Sequence, residues 1–152
     1  MEILGLAIVV VLILVAATFV VRFLLLKQPA DYRKGFVSKQ LSSNTISALL
    51  KTTTECSNLD MTELLRDCAQ SRSITCDNGK DSCGFAEGTA KYIFSKTLDT
   101  WGRSYEFKAY TNDPTQPILK LGNPCKGDIE PSLFLVPILN SGNIYVKLDI
   151  CN

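Results

Sequence analysis

The chain has 152 residues, with 16 Lys and Arg against 15 Asp and Glu, six Cys and no His. Its charge balance lacks the basic surplus that binding to nucleic-acid phosphates requires. The missing imidazole removes the commonest general base, the Ser/His and Cys/His nucleophile pairs and the usual zinc ligand sets. There is also no phosphate-cradling glycine loop, nucleophile elbow or zinc helix, so the sequence reads as a non-enzyme with no cofactor, no metal and no nucleic-acid partner.

The first element is apolar. From Ile3 to Val21 no side chain is charged, and only Gly5 and Thr18 depart from large apolar residues or Ala. At ~1.5 Å rise per residue the run matches the ~30 Å hydrocarbon core of a bilayer. Apolar residues occupy every side without a polar stripe, so the helix requires apolar surroundings all round. The pattern predicts a transmembrane or filament-core helix from about Ile3 to Leu26, within a segment 1–27, followed by a globular domain over 28–152. The helix positions expected to meet lipid or sister helices include Ile3, Gly5, Ala7, Val11, Leu14, Ala17, Val21 and Arg22, with Gly5, Ala7, Ala16 and Ala17 allowing close approach.

Two rules disagree about orientation. Arg22, Lys27, Arg33 and Lys34 follow the helix while only Glu2 and the amino group precede it, and positive flanks normally stay cytoplasmic. Against this, Cys56, Cys68, Cys76, Cys83, Cys125 and Cys151 all lie in the downstream domain with no CxxC pair. An even, dispersed set in a small tethered domain points to three disulfides outside the cytoplasm, with their pairing left open. The expectation is therefore an extracytoplasmic domain at the membrane or cell surface. The conflict resolves if a basic leader before Met1 is removed, or if partner machinery sets the topology. A conventional secretory signal fits less well, since no basic segment precedes the apolar run.

Pro29 is expected to kink or break the helix. Beyond it, Val37, Leu41, Thr45, Ala48 and Leu49 recur at helical spacing, which predicts an amphipathic helix over Tyr32–Lys51 whose stripe packs on the domain or, alternatively, forms a seam with identical copies. Asp60 and Glu63 form a capping-box start for a short helix through Cys68. The stretch from Ser71 to Asp81 is polar, and its Asn78-Gly79 turn brings Cys76 and Cys83 within reach of each other. Asp77 and Asp81 resemble a fragment of a calcium loop without its later Glu ligand, and read as a solvated turn.

From Gly84 to Trp101, the residues Ala86, Ala90, Ile93, Phe94, Thr97 and Trp101 line one face of a helix that Gly102 ends. This face reads as core, and Gly88 within it costs about 1 kcal/mol of helix propensity. The period then becomes two. Tyr105, Phe107 and Ala109 alternate with Glu106, Lys108 and Tyr110, and Ile144 to Ile150 alternate with Tyr145, Lys147 and Asp149, as in half-buried strands. Ser132–Leu139 is a third strand, placed at an edge or bulge by Pro137, and Ile118–Leu121 a short fourth. The Asn140–Asn143 turn makes the last two an antiparallel pair, and Cys151 is placed to staple the sheet to Cys125 or to the helices. No Asn-x-Ser/Thr sequon occurs. The expected fold class is α+β, with a hydrophobic helix continuing into an amphipathic one and a disulfide-bonded domain whose helices pack on a C-terminal antiparallel sheet.

An apolar helix near Met1, Pro29 just beyond it, an amphipathic continuation and a cysteine-stapled C-terminal sheet together resemble a type IV pilin or pilin-like filament subunit, including archaeal forms. The resemblance implies a leader cut just before the helix, extraction from the membrane, and assembly of identical subunits through bundled apolar helices. Gly5 stands where bacterial members carry Glu, and Glu2 is the nearest acid that such a pairing role would use. The function expected on this basis is that of a homo-oligomeric structural subunit of an extracellular, adhesive filament. The other reading is a single-pass envelope protein whose ectodomain binds a surface partner.

Overall fold

The computed structural model describes residues 2–25, 30–126, 129, 131–139 and 142–151. Met1, Leu26, Lys27 and the expected break at Pro29 fall outside them, as do Asn140 and Ser141 of the expected hairpin turn. Two compact units are present, Met1–Arg33 and Lys34–Asn152. The first contains helix α1 (Glu2–Leu25). Helix α2 (Ala30–Leu50) runs into the second, which then holds α3 (Met61–Gln70), α4 (Ser82–Lys96) and the strands β1 (Tyr105–Tyr110), β2 (Leu119–Gly122), β3 (Ser132–Ile138) and β4 (Gly142–Ile150). The strands form one antiparallel sheet in the order β2-β1-β4-β3, so the α+β architecture is as the alternation of periods indicates.

Helix α2 enters the core on a different line from the expected stripe. Ser42, Ile46, Leu49 and Leu50 are buried, whereas Val37 is 59% exposed and Ala48 is also exposed. The reason is Ser42. Its hydroxyl and that of Ser132 on β3 face each other, and both donate to the Lys39 carbonyl, at 3.0 and 3.1 Å. A bonded hydroxyl can enter a core at little cost, so a serine occupies a core position that hydrophobicity assigns to its neighbours.

Helix α3 starts with the expected capping box: Glu63 N–H donates to Asp60 Oδ1 at 2.7 Å, and Asp60 N–H to Glu63 Oε2 at 3.2 Å. Its far end is pinned to the edge strand, where Arg66 Nε donates to the Pro137 carbonyl at 3.0 Å and Gln70 Nε2 to the Leu139 carbonyl at 2.9 Å. Helix α4 is displaced from the expected Gly84–Trp101. It starts at Ser82 because Asp81 Oδ1 caps the N–H of Gly84 at 2.8 Å. It ends at Lys96, Thr97 N–H being shared between the Ile93 and Phe94 carbonyls. Leaving the helix there turns Leu98 fully into the core while Trp101 stays 57% exposed. Gly102, at φ +64°, still closes the turn that follows.

Phe94 is the centre of the core, with its ring 5.0 Å from Tyr105 and 5.2 Å from Phe107. Around it, Ala109, Ile144, Val146 and Leu148 of the two central strands are fully buried. Pro137 sits in β3, an edge strand, as its missing N–H requires. Two acids of the outward-facing set, Glu106 and Asp149, are only 7% and 2% exposed. They lie opposite each other across β1 and β4 and are held by lysines: Lys108 Nζ is 2.8 Å from Glu106 Oε1, and Lys147 Nζ donates to Asp149 Oδ2 at 2.6 Å. Burial of the acids is thus offset by direct charge pairing.

The disulfides are Cys56–Cys76, Cys68–Cys83 and Cys125–Cys151, and no cysteine is free. The closure of Cys76 on Cys83 across the Asn78-Gly79 turn does not occur. Cys56 is fully buried beside Cys76, and Cys83 in the first turn of α4 faces Cys68 near the end of α3, so one bridge ties the polar segment to the loop before α3 and the other joins α3 to α4.

Candidate functional site: an exposed apolar helix and two stapled clefts

Between its first and last turns the backbone groups of α1 bond within the helix, as a segment in apolar surroundings demands. Its one hydroxyl conforms, since Thr18 Oγ1 donates to the Val15 carbonyl at 2.7 Å. Ala7, Val11, Leu14, Ala17 and Val21 follow at steps of four, three, three and four, along one side of the helix. They are exposed, as are Gly5 and Arg22, while Ile3 lies in the same helix. That side is not set apart, because Val10, Leu12 and Ile13 elsewhere on the circumference are exposed as well. A Cβ added at Gly5 would meet nothing within 4 Å. Over Gly5–Phe23 the mean hydropathy is 2.9 and none of the span is buried within the molecule, so α1 is long and apolar enough to cross a bilayer and presents all of its surface to whatever surrounds it.

In the domain the polar segment between α3 and α4 is organised by Asp67, a residue without a sequence signal beyond the serines that follow it. Its Oδ1 accepts from the hydroxyls of Ser71 and Ser73 at 2.9 and 2.7 Å, and its Oδ2 from the Ile74 N–H at 3.0 Å. Burial alone pushes its carboxyl up, but these donors, together with the buried Ser82 hydroxyl, win and hold it well below the ordinary value of 3.8. Ser82 Oγ makes no hydrogen bond among the described residues, and acts on the carboxylate as a nearby dipole. Asp81 caps α4, and Asn78 Oδ1 accepts from Lys80 N–H at 3.1 Å, which makes the calcium-loop-like fragment a capped turn. Among the described residues no group of three or more His, Cys, Asp or Glu converges.

Two clefts lie beside disulfides. One, of about 640 Å³, adjoins Cys125–Cys151 and is lined by Asp99, Arg103, Ser104, Tyr105 and Lys126. Burial, then the nearby Asp99 charge, pushes the Tyr105 phenol up. Gly122 borders this cleft at φ +77°, and an added Cβ there would lie 2.0 Å from the Tyr105 carbonyl oxygen. The Gly-Asn-Pro sequence that follows β2 is the signal that reports this tight turn.

The other cleft, of about 500 Å³, opens between residues 52–55, the Asn78–Lys80 turn and α4. Cys56–Cys76 joins its two walls. Each cleft carries one carboxylate in its lining, Asp99 in the first and Glu55 in the second. No protein-family model, no curated protein and no solved structure matches this chain.

Proposed function

We propose that the chain is a structural subunit of an extracellular pilus-like filament, in which α1 serves first as a membrane span and then as the element through which identical copies pack. The observation that carries the reading is the surface of α1, apolar on every side and unburied over Gly5–Phe23. Apolar surface of this extent is not stable in water. It has two solvents, lipid tails or the helices of other copies. Three disulfides in the downstream domain fit an oxidising compartment, and the order of parts, from apolar helix to a last strand ending at a bridged cysteine, is that of the pilin-like layout.

One observation favours a second reading, a permanently anchored envelope protein whose domain binds a surface partner. Arg22 stands exposed in the last turn of α1. At a bilayer boundary it reaches the headgroups, whereas in a helix bundle it needs a partner.

Oxidative crosslinking of an Ala17→Cys variant in native surface material, with electron microscopy of the same sample, separates the two. Helical assemblies with a ladder of crosslinked multimers are expected. A detergent-extracted monomer without a ladder refutes the filament and leaves the anchor. Alkylation without reductant is expected to modify none of the six native cysteines, and modification of all six places the domain in the cytoplasm.

A further inference from the structure

We propose that the cleft between Thr53 and α4 binds a neutral hexose unit of a surface carbohydrate; the proposal is independent of what α1 packs against. Its walls are fixed before any ligand arrives. Cys56–Cys76 bridges them, Thr54 N–H bonds to the Leu59 carbonyl in one, and Cys76 N–H to the Lys80 carbonyl in the other. Rigid walls keep the ordering cost of binding low, and about 500 Å³ falls within the range of small-molecule sites.

The floor holds a residue that packing does not explain. Gly88 lies inside α4, exposed, where glycine is disfavoured. A Cβ there would meet only Lys80 Nζ, at an ordinary 3.8 Å. What the missing side chain does is leave bare the turn next to Tyr92, whose ring is 65% exposed. Lys96, one turn beyond, stands over the ring, with Nζ 5.7 Å from the centroid. The rest of the Tyr92 surface lines the cleft.

The polar lining decides the ligand class. Thr53, Glu55 and Thr89 make no side-chain hydrogen bond or ion pair among the described residues, nor does the Lys80 ammonium. One cation and one anion leave the cleft neutral: an anionic ligand meets Glu55, and a cationic one meets Lys80. A wholly apolar ligand strands the hydroxyls without partners. A pyranose satisfies all of them, with its C–H face on Tyr92, whose ring is apolar and whose rim is polar, and its hydroxyls on the threonines, the carboxylate and the ammonium.

The test is saturation-transfer NMR on the full chain in phosphocholine micelles, which contain no sugar, with methyl β-glucoside, methyl β-galactoside and N-acetylglucosamine as probes. At least one is expected to bind saturably with Kd of about 1 mM or tighter. Gly88→Leu, which fills the floor, and Tyr92→Ala, which removes the ring, are each expected to weaken binding roughly tenfold or more. Thr89→Val, which removes one hydroxyl at nearly constant shape, weakens it by a smaller factor, and Lys126→Ala in the other cleft leaves it unchanged. Circular dichroism checks that each variant folds. Absence of saturable binding by all three probes, survival of binding in either Gly88→Leu or Tyr92→Ala, or equal loss in Lys126→Ala overturns the proposal.

Discussion

Replacing Gly122 by alanine asks whether backbone geometry at the end of β2 is as demanding as the structure indicates. Gly122 and Gly102 both adopt positive φ, +77° and +64°, so an L side chain at either incurs about 1–2 kcal/mol of backbone strain. They differ in space. At Gly102 an added Cβ meets nothing within 4 Å, while at Gly122 it lies 2.0 Å from the Tyr105 carbonyl oxygen and 3.0 Å from the Tyr105 carbonyl carbon. Backbone cannot yield as a side-chain tip does, so β2 must separate from β1 there. The same carbonyl accepts the Asn123 N–H at 3.0 Å, and losing that bond adds about 0.5–1.5 kcal/mol.

The expected cost is therefore about 1.5–3.5 kcal/mol for Gly122→Ala and about 1–2 kcal/mol for Gly102→Ala. In a domain of this size each kcal/mol moves Tm by about 4 °C, so the two variants separate by several degrees in thermal unfolding followed by circular dichroism in micelles. Equal shifts, or a smaller one for Gly122→Ala, would show that β2 relaxes without penalty, and the reasoning from close approach fails.

Four further outcomes follow from the same structure. Asp67 has its folded pKa below the unfolded value, so its contribution is present above about pH 4 and is lost as pH falls through the folded pKa. Asp67→Asn is expected to be less stable at pH 7 and to converge with the native chain on acidification, by an amount reduced by solvent screening; a pH-independent gap in unfolding curves contradicts this. Removing Cys56–Cys76 with paired alanines releases a 20-residue loop and is expected to cost about 3 kcal/mol, read as the unfolding midpoint against the native chain. Ser57 holds φ +52°, and its strain of about 1–2 kcal/mol exceeds the extra chain entropy of glycine, about 0.5–1 kcal/mol; Ser57→Gly should raise Tm, and a fall places the strain elsewhere. Leu14→Arg, at the middle of α1, adds about 2.5–3.5 kcal/mol to membrane insertion, so its membrane-bound fraction after alkaline extraction should drop, and an unchanged fraction argues that α1 does not span.

Much of this architecture is legible in the sequence because its signals are local. The capping pair Asp60 and Glu63 specifies the start of α3 by itself, and the alternation of Ile144, Val146, Leu148 and Ile150 specifies β4 by its period. What escapes is decided by partners distant in sequence. Ser42 reaches the core because of Ser132, ninety positions away, and α4 ends early because Leu98, and not Trp101, completes the packing under the sheet. Glu106 and Asp149 look solvent-facing by alternation, but each is buried beside a lysine two positions away on its own strand, Lys108 and Lys147. The pairing of Cys56 with Cys76 likewise depends on how α3 and α4 come together, which no spacing reports. For the cleft beside α4, the sequence trace is a helix glycine at position 88, whose meaning depends on the exposed Tyr92 ring one turn away.

The edges of the sheet are guarded within the domain itself. A sheet with open edges invites pairing with another sheet, yet here Pro137 lacks a donor on the edge strand β3, and Arg66 and Gln70 from α3 occupy the carbonyls of Pro137 and Leu139. The opposite edge is β2, only four residues long. On the outer face, Lys120, Lys108 and Lys147 lie side by side across three strands, the last two paired with Glu106 and Asp149. Exposed apolar side chains occur in both units, at Leu133 and Leu135 on the edge strand and along Gly5–Phe23 in α1.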